Sequence, residues 1–142
     1  MKEDNLSPWV ITQKTGKWAR IMTKWLITKS GGANVRWQFV VFLGPKGGES
    51  RGIVDIVAIR KNHKPPKPGL KRGNLLDMVL IQTKGGSSPL PSKSDLDRLV
   101  KVKKEHRARS VVLAQWKKGE EPNLYELVGR KWQARKPPDI FR

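Results

Sequence analysis

Apolar residues along the chain fall first at helical and then at strand-like spacing. Trp18, Ile21, Met22, Trp25 and Leu26 recur at i, i+3, i+4, i+7 and i+8, which predicts a helix over about 15–28 with that stripe turned to the core. On this reading Trp18 and Trp25 are packing residues, Lys17, Arg20 and Lys24 take the solvent side, and Gly31-Gly32 ends the helix. Residues 35–43, rich in aromatic and β-branched side chains and stopped by Gly44-Pro45, predict a strand. A second strand is expected over 52–60 after the Gly47-Gly48 turn, and a third over 75–84, ending at Gly85-Gly86. Between these two lies 61–73 with Pro65, Pro66 and Pro68. Proline removes ladder donors and fixes φ, so an irregular projection is predicted there.

Ser94, with Asp97 three residues on, has the form of a capping box for a helix through Leu96, Leu99, Val100 and Lys103 to about Arg107. Residues 110–116 and 124–128 predict two further strands. Residues 131–142, holding Pro137-Pro138, show no period; they and residues 1–12 are expected to be flexible or extended tails. The order helix-strand-strand-strand-helix-strand-strand predicts one α/β (α+β) domain over 1–142, a central mixed β-sheet flanked by helices.

Charge adds a partner to this picture. The 142 residues include 30 Lys or Arg and 12 Asp or Glu, a formal net charge of +18. From Asn5 to Gly48 there is no acid but there are seven bases: Lys14, Lys17, Arg20, Lys24, Lys29, Arg36 and Lys46. From Ile56 to Leu76 there is again no acid, while Arg60, Lys61, Lys64, Lys67, Lys71 and Arg72 crowd together. Such a field favours a polyanion, because neutralising phosphates releases condensed counterions. Arg51 and those six bases are therefore expected to contact nucleic acid. No cysteine is present, which excludes disulfides, a thiolate nucleophile and a cysteine zinc site, and two histidines cannot build a His-rich one. The longest apolar run, Phe39 to Leu43, is far short of the ~20 residues of a membrane span. A cytoplasmic, DNA-associated protein without a small-molecule cofactor is expected.

Candidate chemistry sits where the second and third strands meet as an antiparallel hairpin. If Arg60 faces Leu75, then Asp55 faces Leu80; a slip of two residues puts Asp55 opposite Gln82. Either register brings Asp55 close to Gln82 and Lys84, which share one face of their strand. A carboxylate inside Ile53-Val54-Asp55-Ile56-Val57 is costly to bury unless it is paired or bound to a cation. Asp55 and Gln82 could supply oxygen ligands to magnesium or manganese, with Glu49 at the turn as a second carboxylate. Lys84 could orient or deprotonate an attacking water and offset phosphate charge. Asp55, Gln82, Lys84 and Glu49 are the candidate catalytic set. The competing reading is an Asp55–Lys84 ion pair at the strand ends, without metal.

The run Gly48-Glu49-Ser50-Arg51-Gly52-Ile53-Val54-Asp55-Ile56-Val57-Ala58, followed by Val79-Leu80-Ile81-Gln82-Thr83-Lys84, resembles the PD-(D/E)XK nuclease superfamily. The later helix, the strand at Val111 to Ala114 and the short strand with Tyr125 resemble the small archaeal Holliday junction resolvases in order and spacing. Val54 stands where the motif proline is common. Gln82 replaces the usual acid, as in Mrr-like nucleases, and the first helix lacks the acid the resolvases carry there. The resemblance implies a restriction-endonuclease-like core and a metal-dependent DNA endonuclease acting on duplex or branched DNA. A homodimer is expected if both strands of a junction are cut. The alternative is a non-catalytic basic DNA- or RNA-binding module that keeps the fold.

Overall fold

The computed structural model describes residues 8–31, 36–44, 52–64, 68–71, 73–86 and 89–142, with the side chains of the first helix described from Thr15 onward. Glu49, Arg51, Lys67 and Arg72 lie outside the described residues. Six strands form a single mixed sheet in sequential order: β1 (Gln38–Val41), β2 (Ile56–Lys61), β3 (Leu76–Gly85), β4 (Ser110–Trp116), β5 (Asn123–Val128) and β6 (Lys131–Arg135). Helix α1 (Pro8–Ser30) precedes them, α2 (Lys93–His106) links β3 to β4, and α3 (Pro137–Phe141) ends the chain. All neighbours pair antiparallel except β3 and β4, which pair parallel. That pair needs a crossover, and α2 supplies it.

Alternation along β3 sorts the core into two layers. Val79 and Ile81 join Ile56, Ala58, Val112 and Ala114 beneath Leu26 and Ile27 of α1 and Ile140 and Phe141 of α3. Leu80 joins Val57, Val111 and Leu127 beneath Leu99 of α2. The sheet is therefore covered on both faces, which is why its central strands read as nearly continuous apolar runs. No helix among the described residues is long and apolar enough to cross a membrane.

The structure corrects four readings. First, α1 is rotated from its apolar stripe. Ala19, Thr23, Leu26 and Ile27 face the sheet, together with Arg20, whereas Trp18, Ile21 and Trp25 face outward. Small residues decide this, because they let the helix come close. A Cβ on Gly85 of β3 would lie 2.6 Å from Thr15 Cγ2 and 3.1 Å from the Thr15 carbonyl oxygen, a gap that indole rings could not share. Second, α1 starts at Pro8, so residues 8–12 are helical and not a tail.

Third, residues 131–142 form β6 and α3. Phe141 is fully buried and meets Trp37 edge-on, with ring centroids 5.4 Å apart. Fourth, the α2 cap is Ser92: Asp95 N–H donates to Ser92 Oγ and Ser92 N–H donates to an Asp95 carboxylate oxygen, each at 3.2 Å. The Ser94–Asp97 pair has the same spacing, but Asp97 instead meets Arg130 at 2.7 Å.

A half-buried acid in the β4–β5–β6 ladder, Glu126, gives stability a pH dependence. Burial pushes the Glu126 pKa up, but the Ser110 hydroxyl and the Arg135 guanidinium, both donating to its carboxylate, together with the charges of Arg135 and Lys103, hold it below its ordinary value. A depressed carboxylate stabilises the fold above its unfolded pKa and loses that contribution as pH falls through the folded one. Glu126→Gln should therefore flatten the acid limb of a plot of unfolding midpoint against pH, measured by circular dichroism. An acid limb of unchanged slope would exclude Glu126 as a source of it.

Candidate functional site

The β2–β3 ladder pairs Ile56 with Ile81 and Arg60 with Asp77, so the second of the two possible registers is the one present. One residue before β2, Asp55 lies against the stretch of β3 that holds Gln82. The Asp55 backbone is held on both sides: its N–H donates to the Ile81 carbonyl, and its carbonyl accepts from Phe42 N–H, both at 2.9 Å. Its carboxylate is held by β3 as well. Oδ2 accepts from Thr83 N–H at 2.7 Å and from the Thr83 hydroxyl at 3.3 Å. Thr83 was not among the candidate residues; only the pairing of β2 with β3 brings it to Asp55.

Gln82 is 8% exposed, yet its Oε1 has no hydrogen-bond partner among the described residues. A buried amide oxygen left unpaired costs about 1–3 kcal/mol, so this oxygen is available to a ligand. Lys84, two residues on along the same face, is half-buried at the end of the strand next to Gly85. Asp55, Gln82 and Lys84 are thus brought to one end of the β2–β3 pair, and Glu49 lies outside the described residues.

These donors fit a hard cation. A carboxylate and a neutral amide oxygen are the ligand types magnesium or manganese takes, with waters completing the shell. No cluster of three His, Cys, Asp or Glu occurs among the described residues, so a carboxylate cage is absent from that set.

The basic loop is elsewhere. Lys61, Lys64 and Lys71 are exposed at the opposite end of β2 and β3. Asp77 and Lys84 are seven positions apart on β3, roughly 23 Å at the usual rise per strand residue. Arg60 departs from its expected role as a phosphate contact. It faces Asp77 across the ladder, Nε to Oδ2 at 3.4 Å, and both side chains are nearly buried, 11% and 13% exposed. Arg60 also donates to the Phe141 and Arg142 carbonyls at 3.2 and 3.1 Å, and lies 4.3 Å from the Trp37 ring centroid. It fastens the end of the chain to the sheet.

Asp77 is a second carboxylate inside the central strands, bound also by Asn62 at 3.1 Å and Arg109 at 3.4 Å. Around it opens a cleft of about 550 Å³ whose rim carries Lys61, His63, Lys64 and Arg109. Arg109 is a cation of this cleft that the sequence reading did not single out, because it is distant along the chain and only the parallel β3–β4 pair brings it there.

No protein-family model matches the chain, and curated proteins and solved structures give no match either. What the structure defines by itself is a mixed α/β protein with a six-stranded sheet between helices, a polar site at one sheet end and a cationic cleft at the other.

Proposed function

We propose that this protein is a metal-dependent DNA endonuclease with a restriction-endonuclease-like core, hydrolysing phosphodiester bonds with a preference for branched DNA. The observation that carries the reading is the buried Gln82 Oε1, unpartnered among the described residues, between Ile81 and Thr83, which both bond Asp55, with Lys84 two residues further on the same face. Support for the core comes from the order α1-β1-β2-β3-α2-β4, in which three antiparallel strands lead through a crossover helix to a parallel fourth. Asp55 and Gln82 would hold the cation, with Glu49 as a further ligand. When bound, such an ion lowers the pKa of a coordinated water and offsets charge on the phosphate. Thr83 keeps the Asp55 carboxylate in one plane. Lys84 orients the attacking water, holds or accepts its proton, and faces the scissile phosphate. Cutting both strands of a duplex or junction takes two such sites, which a two-fold homodimer provides.

Incubating the purified protein with linear, nicked, flapped and four-way DNA, with magnesium or manganese and with chelator, tests the reading. Chelator-sensitive cleavage is expected, strongest on the branched substrates. A second reading is favoured by the Thr83 contacts, which satisfy one oxygen of Asp55 without any metal. It is a nucleic-acid-binding module of the same fold, and absence of cleavage on every substrate would leave that one standing.

Both readings require electrostatic binding. With six to ten phosphates contacted, affinity for duplex DNA should fall about 10³–10⁵-fold between 50 and 200 mM salt. Removing Lys61 and Lys64 together should lower the log–log salt slope by about 2. Arg60→Ala should instead lower the melting temperature and leave the slope nearly as it was, because Arg60 is spent on Asp77 and the α3 carbonyls. Fluorescence anisotropy across a salt series reads both, and a slope unchanged in the double lysine variant would remove the cleft from the interface.

A further inference from the structure

The outward face of α1 has no role in the reading above. Trp18 and Trp25 are each 45% exposed and Ile21 between them is 37% exposed, on the helix side turned away from the sheet. A helix that buries Ala19 and Thr23 while leaving two indoles nearly half exposed shows solvent the side chains of largest burial gain. The helix itself carries charge of one sign. No acid occurs between Pro8 and Ser30, and Lys17, Lys24 and Lys29 flank the rings. Lys29 Nζ lies 4.7 Å from the centroid of the Trp25 ring while also meeting Glu121 at 3.1 Å.

Aromatic faces on a helix that carries cations and no acid of its own match an unpaired nucleic-acid strand, whose bases stack while its phosphates take the positive charge. A second copy of this chain would bring lysines against lysines. An anionic membrane calls for a broader apolar sector than two indoles and one isoleucine supply. Seven residues of helix separate the rings by about 10.5 Å along the axis, the length of roughly three stacked nucleotides. The helix also passes close to the candidate site. Thr15, one turn before Trp18, packs on Gly85, the neighbour of Lys84.

We propose that the outer face of α1 is a stacking platform, built on Trp18 and Trp25, for unpaired bases of a DNA strand that continues from the candidate site. The inference rests on the nucleic-acid part of the proposed function and not on hydrolysis.

The test is equilibrium binding of the full chain, in chelator, to a blunt duplex and to the same duplex carrying a single-stranded tail. The tailed DNA should bind more tightly. Trp18→Ala and Trp25→Ala should each lower its affinity about 5–150-fold, with blunt-duplex affinity and the salt slope unchanged. Trp18→Phe and Trp25→Phe should keep most of the tail preference. Because both rings stand outside the core, the melting temperature should hold, which separates lost stacking from lost fold. Equal weakening on both DNAs, or no weakening on either, overturns the platform. So does loss of phosphatidylserine-vesicle binding or of self-association in the double alanine variant without any change on tailed DNA. Cleavage is measured separately with magnesium, so a platform that binds tails in a protein that never cuts would sink the nuclease reading alone.

Discussion

Asp55→Ala is expected to abolish chelator-sensitive cleavage while DNA affinity stays the same or rises, since a negative charge facing phosphate is removed. The effect should be near total. Thr83 fixes the Asp55 carboxylate at this sheet end, and no cluster of three His, Cys, Asp or Glu occurs among the described residues to take over its role. Lys84→Ala should slow cleavage about 10²–10⁴-fold, the usual weight of a positioned proton-transfer group, with little change in binding. Gln82 reports on the cation directly. Gln82→Glu adds a charge where a buried neutral oxygen now lacks a partner, so activity should persist and the magnesium needed for half-maximal rate should fall. Cleavage by Asp55→Ala at the wild-type rate would remove the whole site from the chemistry. A higher magnesium requirement in Gln82→Glu would remove Gln82 from the ligand set.

Phe141→Ala should produce the largest loss of stability in the molecule. Its ring is fully buried against the α1 face of the sheet and meets Trp37 edge-on, at an interplanar angle of 85°. Its carbonyl accepts from Trp37 Nε1 at 2.7 Å and from Arg60 Nη1 at 3.2 Å, so the ring and the backbone are anchored together. Truncating a buried phenylalanine costs about 3–5 kcal/mol through lost transfer energy and the cavity left behind. For a chain of this size that corresponds to roughly 10–20 °C in melting temperature. Arg60 should lose part of its restraint as well, and the Trp37 indole N–H would lose its acceptor wherever α3 undocks. A scan by circular dichroism or calorimetry checks this, and a shift below about 2 °C would mean that α3 contributes nothing to the core.

Strong periodicity and consistent local chemistry made the strands legible. Residues 110–116 were expected as a strand and form β4 over those same residues, because an unbroken β-branched and aliphatic run between turn signals fits little else. The third strand and the second helix lie within a residue or two of their expected bounds for the same reason. The convergence of Asp55 with Gln82 and Lys84 was legible too, since any short hairpin between those strands brings them together. The exact partner was not. It follows from the register, and the opposite charges of Arg60 and Asp77, facing each other across the ladder, mark the one adopted.

The sequence by itself therefore determined the α/β class, the order of the first seven elements, the excess of positive charge and the polar residues clustered at one strand end. These depend on local periodicity and on summed charge, which need no knowledge of what packs where. Only the tertiary structure decided which side of α1 is buried. An apolar stripe and a small-residue stripe compete on that helix, and the close approach of Thr15 to Gly85 settles the contest for the small one, turning Trp18 and Trp25 outward. The fate of residues 131–142 was likewise tertiary. Their strand is short and their helix shorter, neither stable alone, and they form because β5 offers an open edge and the sheet offers Phe141 a place to be buried.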